Sequence, residues 1–137
     1  MITDIRLVYV HYVPPQLEPG ILYVSKEFEV AAHLCPCHCN NKIVTPLGKT
    51  EWLFQERKGK ATLYPSLGNW QLPCRSHYWI TGGKIVWSYQ FTEKEIQEVY
   101  AGEKAQREAY YSQKASKKKL KSAIKPVSDW VRKLFLP

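Results

Sequence analysis

Four cysteines constrain this chain more than any other feature in it. Cys35, Cys37 and Cys39 stand at every second position of "HLCPCHC", and Cys74 follows alone in "LPCRSHYWI". Residues two apart share one face of an extended segment, and Pro36 bends such a run into a loop, so three thiols are offered in one direction. Zinc takes four such ligands in a tetrahedron at structural sites, and Cys74 completes the count. The spacing is not the C-x-x-C knuckle of ribbons and fingers, and His33, His38 or His77 could replace a thiol. Buried, reduced cysteines without metal are the alternative. The expectation is a Zn2+ held by Cys35, Cys37, Cys39 and Cys74, stapling the loop at 35–39 to the strand at 74–80. Four thiolates leave no open position and blunt Lewis acidity, so this zinc is expected to be structural rather than catalytic.

The compartment bears on the thiols. "MITDIRLVYVHYV" alternates, carries Asp4 and Arg6 early and lacks a small-residue cleavage site, which is not a secretory-signal pattern. No apolar run reaches the length of a membrane span. A cytoplasmic location is therefore expected, where clustered thiols more often hold metal than form disulfides.

Residues 1–91 read as β. "DIRLVYVHYV", "ILYVS", "KIVTPL", "TEWLFQER", "ATLYPSL", "SHYWI" and "KIVWSYQF" are rich in β-branched and aromatic residues, with turn chemistry between them. "EFEVAAH" is a strand or a single helical turn. Gly82-Gly83 can supply the positive φ angles of a tight hairpin, across which Trp79 and Trp87 are positioned to stack. Trp52 and Trp70 are expected as core or groove walls, and "PSLGNW" as a Pro-initiated turn. At Thr92 the period changes. Thr92 and Glu95 form a capping box, Gly102 can end the helix, and 103–125 favour a further one. Pro126 should break it, with Ser128 capping a last short helix whose Trp130, Val131, Leu134 and Phe135 recur at helical spacing. The fold class is thus mainly β (α+β): a zinc-stapled antiparallel β domain over 1–91, followed by C-terminal helices over 92–137.

The net charge of +8 is uneven. Residues 1–92 hold nine Lys/Arg against six Asp/Glu, whereas 93–137 hold eleven against six, with a cluster in "KASKKKLKSAIK". Such a tail suits nucleic acid, an acidic protein or an anionic surface.

"CRSHYWI" sets Ser76 beside His77. Adjacent strand residues point to opposite faces, so the two are not a ready dyad, whereas Ser76 shares parity with Cys74 and should face the metal loop. His33, two residues before the first thiol, can approach from there, and an imidazole in reach of Ser76 would make a Ser–His pair.

"GILYVS", "HLCPCHC", "KIVTPL", "YPSLGNW" and "CRSHYWI-TGGKIVW", in this order over roughly residues 1–90, resemble the BubE-like family of small bacterial proteins found in ubiquitin-like (Bub) conjugation operons. A glycine is usual in that family where this chain has His38 and Asn40, which argues against an essential His38. The resemblance implies a serine-dependent deubiquitinase-like peptidase that acts at the C-terminus of a ubiquitin-like protein or frees it from conjugates. It implies Ser76 as nucleophile, with His33 as general base by parity and His77 as the competing choice. The orienting third residue and the oligomeric state are left open. The rival from another class is a non-catalytic, zinc-stabilised β module that binds nucleic acid or an acidic partner through its basic tail. A structural partner in a conjugation complex, with Ser76 inert, is the third possibility.

Overall fold

The computed structural model describes the backbone of residues 1–135 and the side chains through residue 122. Its elements run β1 (Arg6–Tyr9), β2 (Ile21–Ser25), β3 (Val30–Leu34), β4 (Lys42–Pro46), β5 (Leu53–Arg57), β6 (Lys60–Gly68), β7 (His77–Thr81), β8 (Lys84–Trp87) and α1 (Glu93–Phe135). The strands form two four-stranded sheets, in the orders β1-β2-β3-β4 and β5-β6-β7-β8. The fold is mostly β, as the sequence indicates, with one C-terminal helix.

Both sheets contribute to one core. Leu22, Val24 and Ala31 from the first meet Ala61, Leu63, Leu67, Tyr78, Ile80 and Ile85 from the second. Period-two alternation puts these residues inward, and truncating a large member to alanine typically costs about 2–5 kcal/mol. The N-terminal segment ties the sheets together: Ile85 N–H donates to Thr3 O at 2.9 Å and Ile5 N–H to Gly83 O at 2.9 Å, before the chain enters β1 of the other sheet.

Three features depart from the sequence expectations. The β domain is not wholly antiparallel, because β1 and β2 pair in parallel, Arg6 opposite Ile21. The Pro-rich segment between them crosses over instead of reversing the chain. Trp79 lies opposite Val86, while Trp87 faces Tyr78 with ring centroids 5.3 Å apart, so the two indoles point to opposite sides of the hairpin. The hairpin turn itself is as expected, with φ of 55° at Gly82 and 76° at Gly83 between paired Thr81 and Lys84. Finally, α1 is one element, so Gly102 lies within it. Strong helix formers on either side outweigh the roughly 1 kcal/mol that glycine costs in a helix. The element also runs through Pro126 to Phe135, so the expected break and separate last helix are not present. The stripe of Trp130, Val131, Leu134 and Phe135 lies outside the described side chains.

The capping box at the head of α1 is complete. Thr92 N–H donates to Glu95 Oε2 at 2.7 Å and Glu95 N–H to Thr92 Oγ1 at 3.3 Å. Two compact units result, Met1–Ile96 and Gln97–Pro137. Within the second, the lysine side chains at 117, 118, 119 and 121 are exposed. No described helix is long and apolar enough to cross a membrane.

Candidate active site and metal centre

The loop after β3 closes on itself through Cys35 N–H, which donates to Asn41 O at 2.8 Å. Its tight path requires positive φ at His38 (71°) and Asn40 (63°), a region that glycine enters without steric cost. This loop and the turn before β7 bring Cys35, Cys37, Cys39 and Cys74 together, with all four sulfurs within 4.8 Å of one another and none in a disulfide. Cys35 Sγ lies 3.3 Å from Cys37 Sγ and 3.9 Å from Cys74 Sγ, and Cys39 Sγ lies 3.8 Å from Cys74 Sγ. A tetrahedral zinc with Zn–S bonds of about 2.3 Å separates its sulfurs by about 3.8 Å, so the donor set fits a metal ion of that kind. Burial pushes the Cys35 and Cys37 thiols up. At Cys39 burial acts the same way but is outweighed, first by Asn41 through its backbone and side chain and then by the neighbouring thiols, so its thiol is held down to about 6. Asn41 Nδ2 donates to Cys39 Sγ at 3.2 Å. Such partners of ligand atoms orient and tune a metal site.

Ser76 faces this cluster, as its parity with Cys74 indicates. The consequence differs from the expectation. Its Oγ accepts from Asn69 Nδ2 at 2.7 Å and sits 3.2 Å from Cys35 Sγ and 3.6 Å from Cys74 Sγ. With Asn69 donating, the Ser76 proton is free to point at sulfur. No imidazole nitrogen is among the hydrogen-bond partners of Ser76 in the described residues. His33 is fully buried and places Nε2 2.6 Å from Tyr78 Oη, and burial holds its pKa down to about 4. Tyr78 in turn accepts from Asn69 Nδ2 at 3.4 Å. The structure therefore does not join Ser76 to His33. It makes them parts of one buried polar network beside the thiols.

His77 is placed elsewhere. It alternates with the core residue Tyr78 and so projects from the outer face of the second sheet, away from the metal loop. Its Nδ1 lies 3.1 Å from the carbonyl oxygen of Tyr89 and its Nε2 2.8 Å from Ser66 Oγ. A carbonyl cannot donate, so Nδ1 must carry the proton. The neutral ring then presents a lone pair at Nε2, which accepts the Ser66 hydroxyl proton. This is the hydrogen-bond pattern of a serine nucleophile with an oriented general base.

Sequence reasoning assigned Ser66 to a turn. The β6–β7 ladder is interrupted between the pairs Leu63–Ile80 and Leu67–Tyr78, and this irregularity places Ser66 next to His77. Bulges of this kind re-aim side chains near active sites, and Pro65 within a strand was the available signal. Aromatic rings enclose the pair. Trp70 and Phe91 stack with centroids 5.0 Å apart, and the His77 ring lies 5.0 Å from Trp70 and 4.3 Å from Phe91. The Trp70 ring lies directly over Gly68, where any Cβ would overlap the indole. Gly68→Ala is accordingly expected to displace Trp70 and cost about 1–3 kcal/mol. Denaturant unfolding followed by tryptophan fluorescence checks this, and an unchanged midpoint would contradict the packing described.

The segment 69–76 connects the two centres. Asn69 N–H donates to Ser76 O at 2.9 Å, closing the loop at its neck. Ser66 to Gly68 lead into it, Cys74 lies within it, and His77 follows it. Arg75 also pairs with Glu93 at the start of α1.

Residues 9–88, more than half of the chain, match the model of a family described as bacterial ubiquitination-like system serine protease (BubE). No curated protein and no solved structure matches.

Proposed function

The chain belongs to the BubE family, the serine proteases of bacterial ubiquitination-like systems, and from that premise we propose that it is a serine peptidase acting at the C-terminus of a ubiquitin-like protein. Ser66 is the nucleophile and His77 its general base. The observation that carries this is the Ser66–His77 hydrogen bond together with the main-chain carbonyl behind Nδ1. Ser66 Oγ attacks the scissile carbonyl carbon while His77 Nε2 takes its proton. The C–N bond then breaks as the imidazolium returns that proton to the leaving amine. Water, deprotonated by His77, releases the acyl group as a carboxylate and restores Ser66. Main-chain N–H groups at the β6 irregularity are the candidate donors to the oxyanion.

Cys35, Cys37, Cys39 and Cys74 would hold a structural Zn2+, with Ser76 and Asn69 as supporting groups rather than reactants. A saturated thiolate site supplies rigidity and no open coordination position.

A fluorophosphonate tests the reading without a known substrate. One phosphonyl group is expected per chain, mapped by peptide mass spectrometry to Ser66, and a linear fusion behind a cognate ubiquitin-like protein should be cleaved at its junction. Labelling at Ser76, or none at all, would overturn the assignment. The exposed lysines of α1 favour a separate, accessory contact with an acidic partner, whose binding should weaken steeply with added salt.

A further inference from the structure

The outer face of the second sheet carries an unusual row beside the Ser66–His77 pair. Leu53 lies opposite Tyr64 across β5–β6, and Trp79 opposite Val86 across β7–β8. Leu63 pairs with Ile80 where the β6–β7 ladder is interrupted, and Tyr64 and Trp79, the next residues on the two strands, flank that interruption. The two pairs therefore line up as an apolar row over the four strands, broken only at that interruption and about 14 Å from end to end at the usual strand spacing. Leu53 is 51%, Tyr64 66% and Val86 47% exposed, and Trp79 is half-buried. The next row on the same face, away from the pair, is polar, with Gln55 opposite Thr62 and Thr81 opposite Lys84. On the other side the row abuts the pair, since the Trp79 and His77 rings lie 5.5 Å apart. Exposed apolar surface that follows one row and stops at a nucleophile has no packing explanation within the described residues.

We infer that this row is the subsite for the acyl side of the substrate, an extended peptide tail with a bulky aliphatic residue two to four positions before the scissile bond. The inference rests on the peptidase reading above and deepens it. The choice of side follows from the chemistry of conjugates. The amine released differs from one target to the next, whereas the acyl part is constant, so an enzyme that frees one tag from many targets must draw its binding energy from the acyl part. The distance agrees, because Tyr64 and Ser66 are only two residues apart on β6, within the roughly 7 Å that two extended residues of a bound peptide span. A large aliphatic side chain buried there contributes roughly 1.5–3 kcal/mol, about a 10- to 100-fold preference.

Peptidyl diphenyl phosphonates provide the test, with intact-mass measurement of labelling rates. Nine probes share a small terminal residue and carry Leu, Ser or Lys at one of the three upstream positions. The wild-type protein should label at least about 10-fold faster with one of the leucine probes than with its serine counterpart, by the burial just estimated. The double variant Leu53→Ser/Tyr64→Ser, altered only at exposed positions, should lose that preference while its labelling by a plain fluorophosphonate is unchanged. Equal rates for all probes, with fluorophosphonate labelling intact, would overturn the subsite and leave the peptidase reading standing. A leucine preference that survives the double variant would also overturn it. Failure of the fluorophosphonate itself would remove the peptidase reading and the subsite with it.

Discussion

Replacing Ser66 by alanine is expected to lower cleavage of a ubiquitin-like fusion by about 10³-fold or more without changing the fold. Ser66 is half-buried, and its described side-chain partner is His77, so its hydroxyl can be removed with little structural penalty. Ser76→Ala should do the opposite. Ser76 Oγ is the acceptor for Asn69 Nδ2 and a neighbour of Cys35 Sγ, all in a buried network. Its loss leaves a buried amide short of a partner, which typically costs about 1–3 kcal/mol, while fluorophosphonate labelling persists. The two serines thus separate, one into chemistry and the other into stability. Paired measurements of kcat and of the denaturation midpoint distinguish them. Retained turnover in Ser66→Ala, or loss of labelling in a folded Ser76→Ala protein, would reverse the assignment.

The second large effect concerns the metal. Purified protein should contain close to one zinc per chain by atomic emission, and stripping it should lower the melting temperature by more than about 10 °C, since structural zinc contributes folding free energy directly. Activity should fall by more than about 10-fold even below that melting temperature. The reason is mechanical: Cys74 anchors the 69–76 segment to the 35–39 loop, and this segment joins the strand bearing Ser66 to the strand bearing His77. A misplacement of about 1 Å in such a pair can cost about 100-fold. Cys37→Ser, at a half-exposed sulfur of the cluster, is expected to give a milder version that still folds, with reduced zinc affinity and a parallel loss of rate. Metal-free protein with wild-type turnover and an unaltered melting temperature would show that the sulfurs neither hold an ion nor support the pair.

Much of the fold was legible because it depends on local rules. Alternation located the strands, two adjacent glycines fixed the β7–β8 turn, and Thr92 with Glu95 marked the start of α1. The cysteine cluster was legible from ligand count, since four thiols in one small chain suit a tetrahedral ion. Parity also predicted that Ser76 faces the thiols. What parity could not say is that the hydroxyl facing the thiols accepts from Asn69 and lies against sulfur. Ser66 was hidden for a different reason. The interruption of the β6–β7 ladder breaks the register that relates a β6 position to its neighbour on β7, and without pairing information "YPSLGNW" reads as a turn. The parallel β1–β2 pair depends on where a crossover lands, which no local pattern records. Gly102 does not end α1 because the helix formers around it outweigh one unfavourable residue.

The group that orients His77 is the main-chain oxygen of Tyr89, and no carboxylate is needed to explain how the ring is held. A systematic scan for a catalytic aspartate or glutamate should therefore return nothing. The oriented tautomer is encoded in the path of the polypeptide after β8, so shortening or lengthening the 88–91 segment should impair the reaction where changing the Tyr89 side chain alone does not.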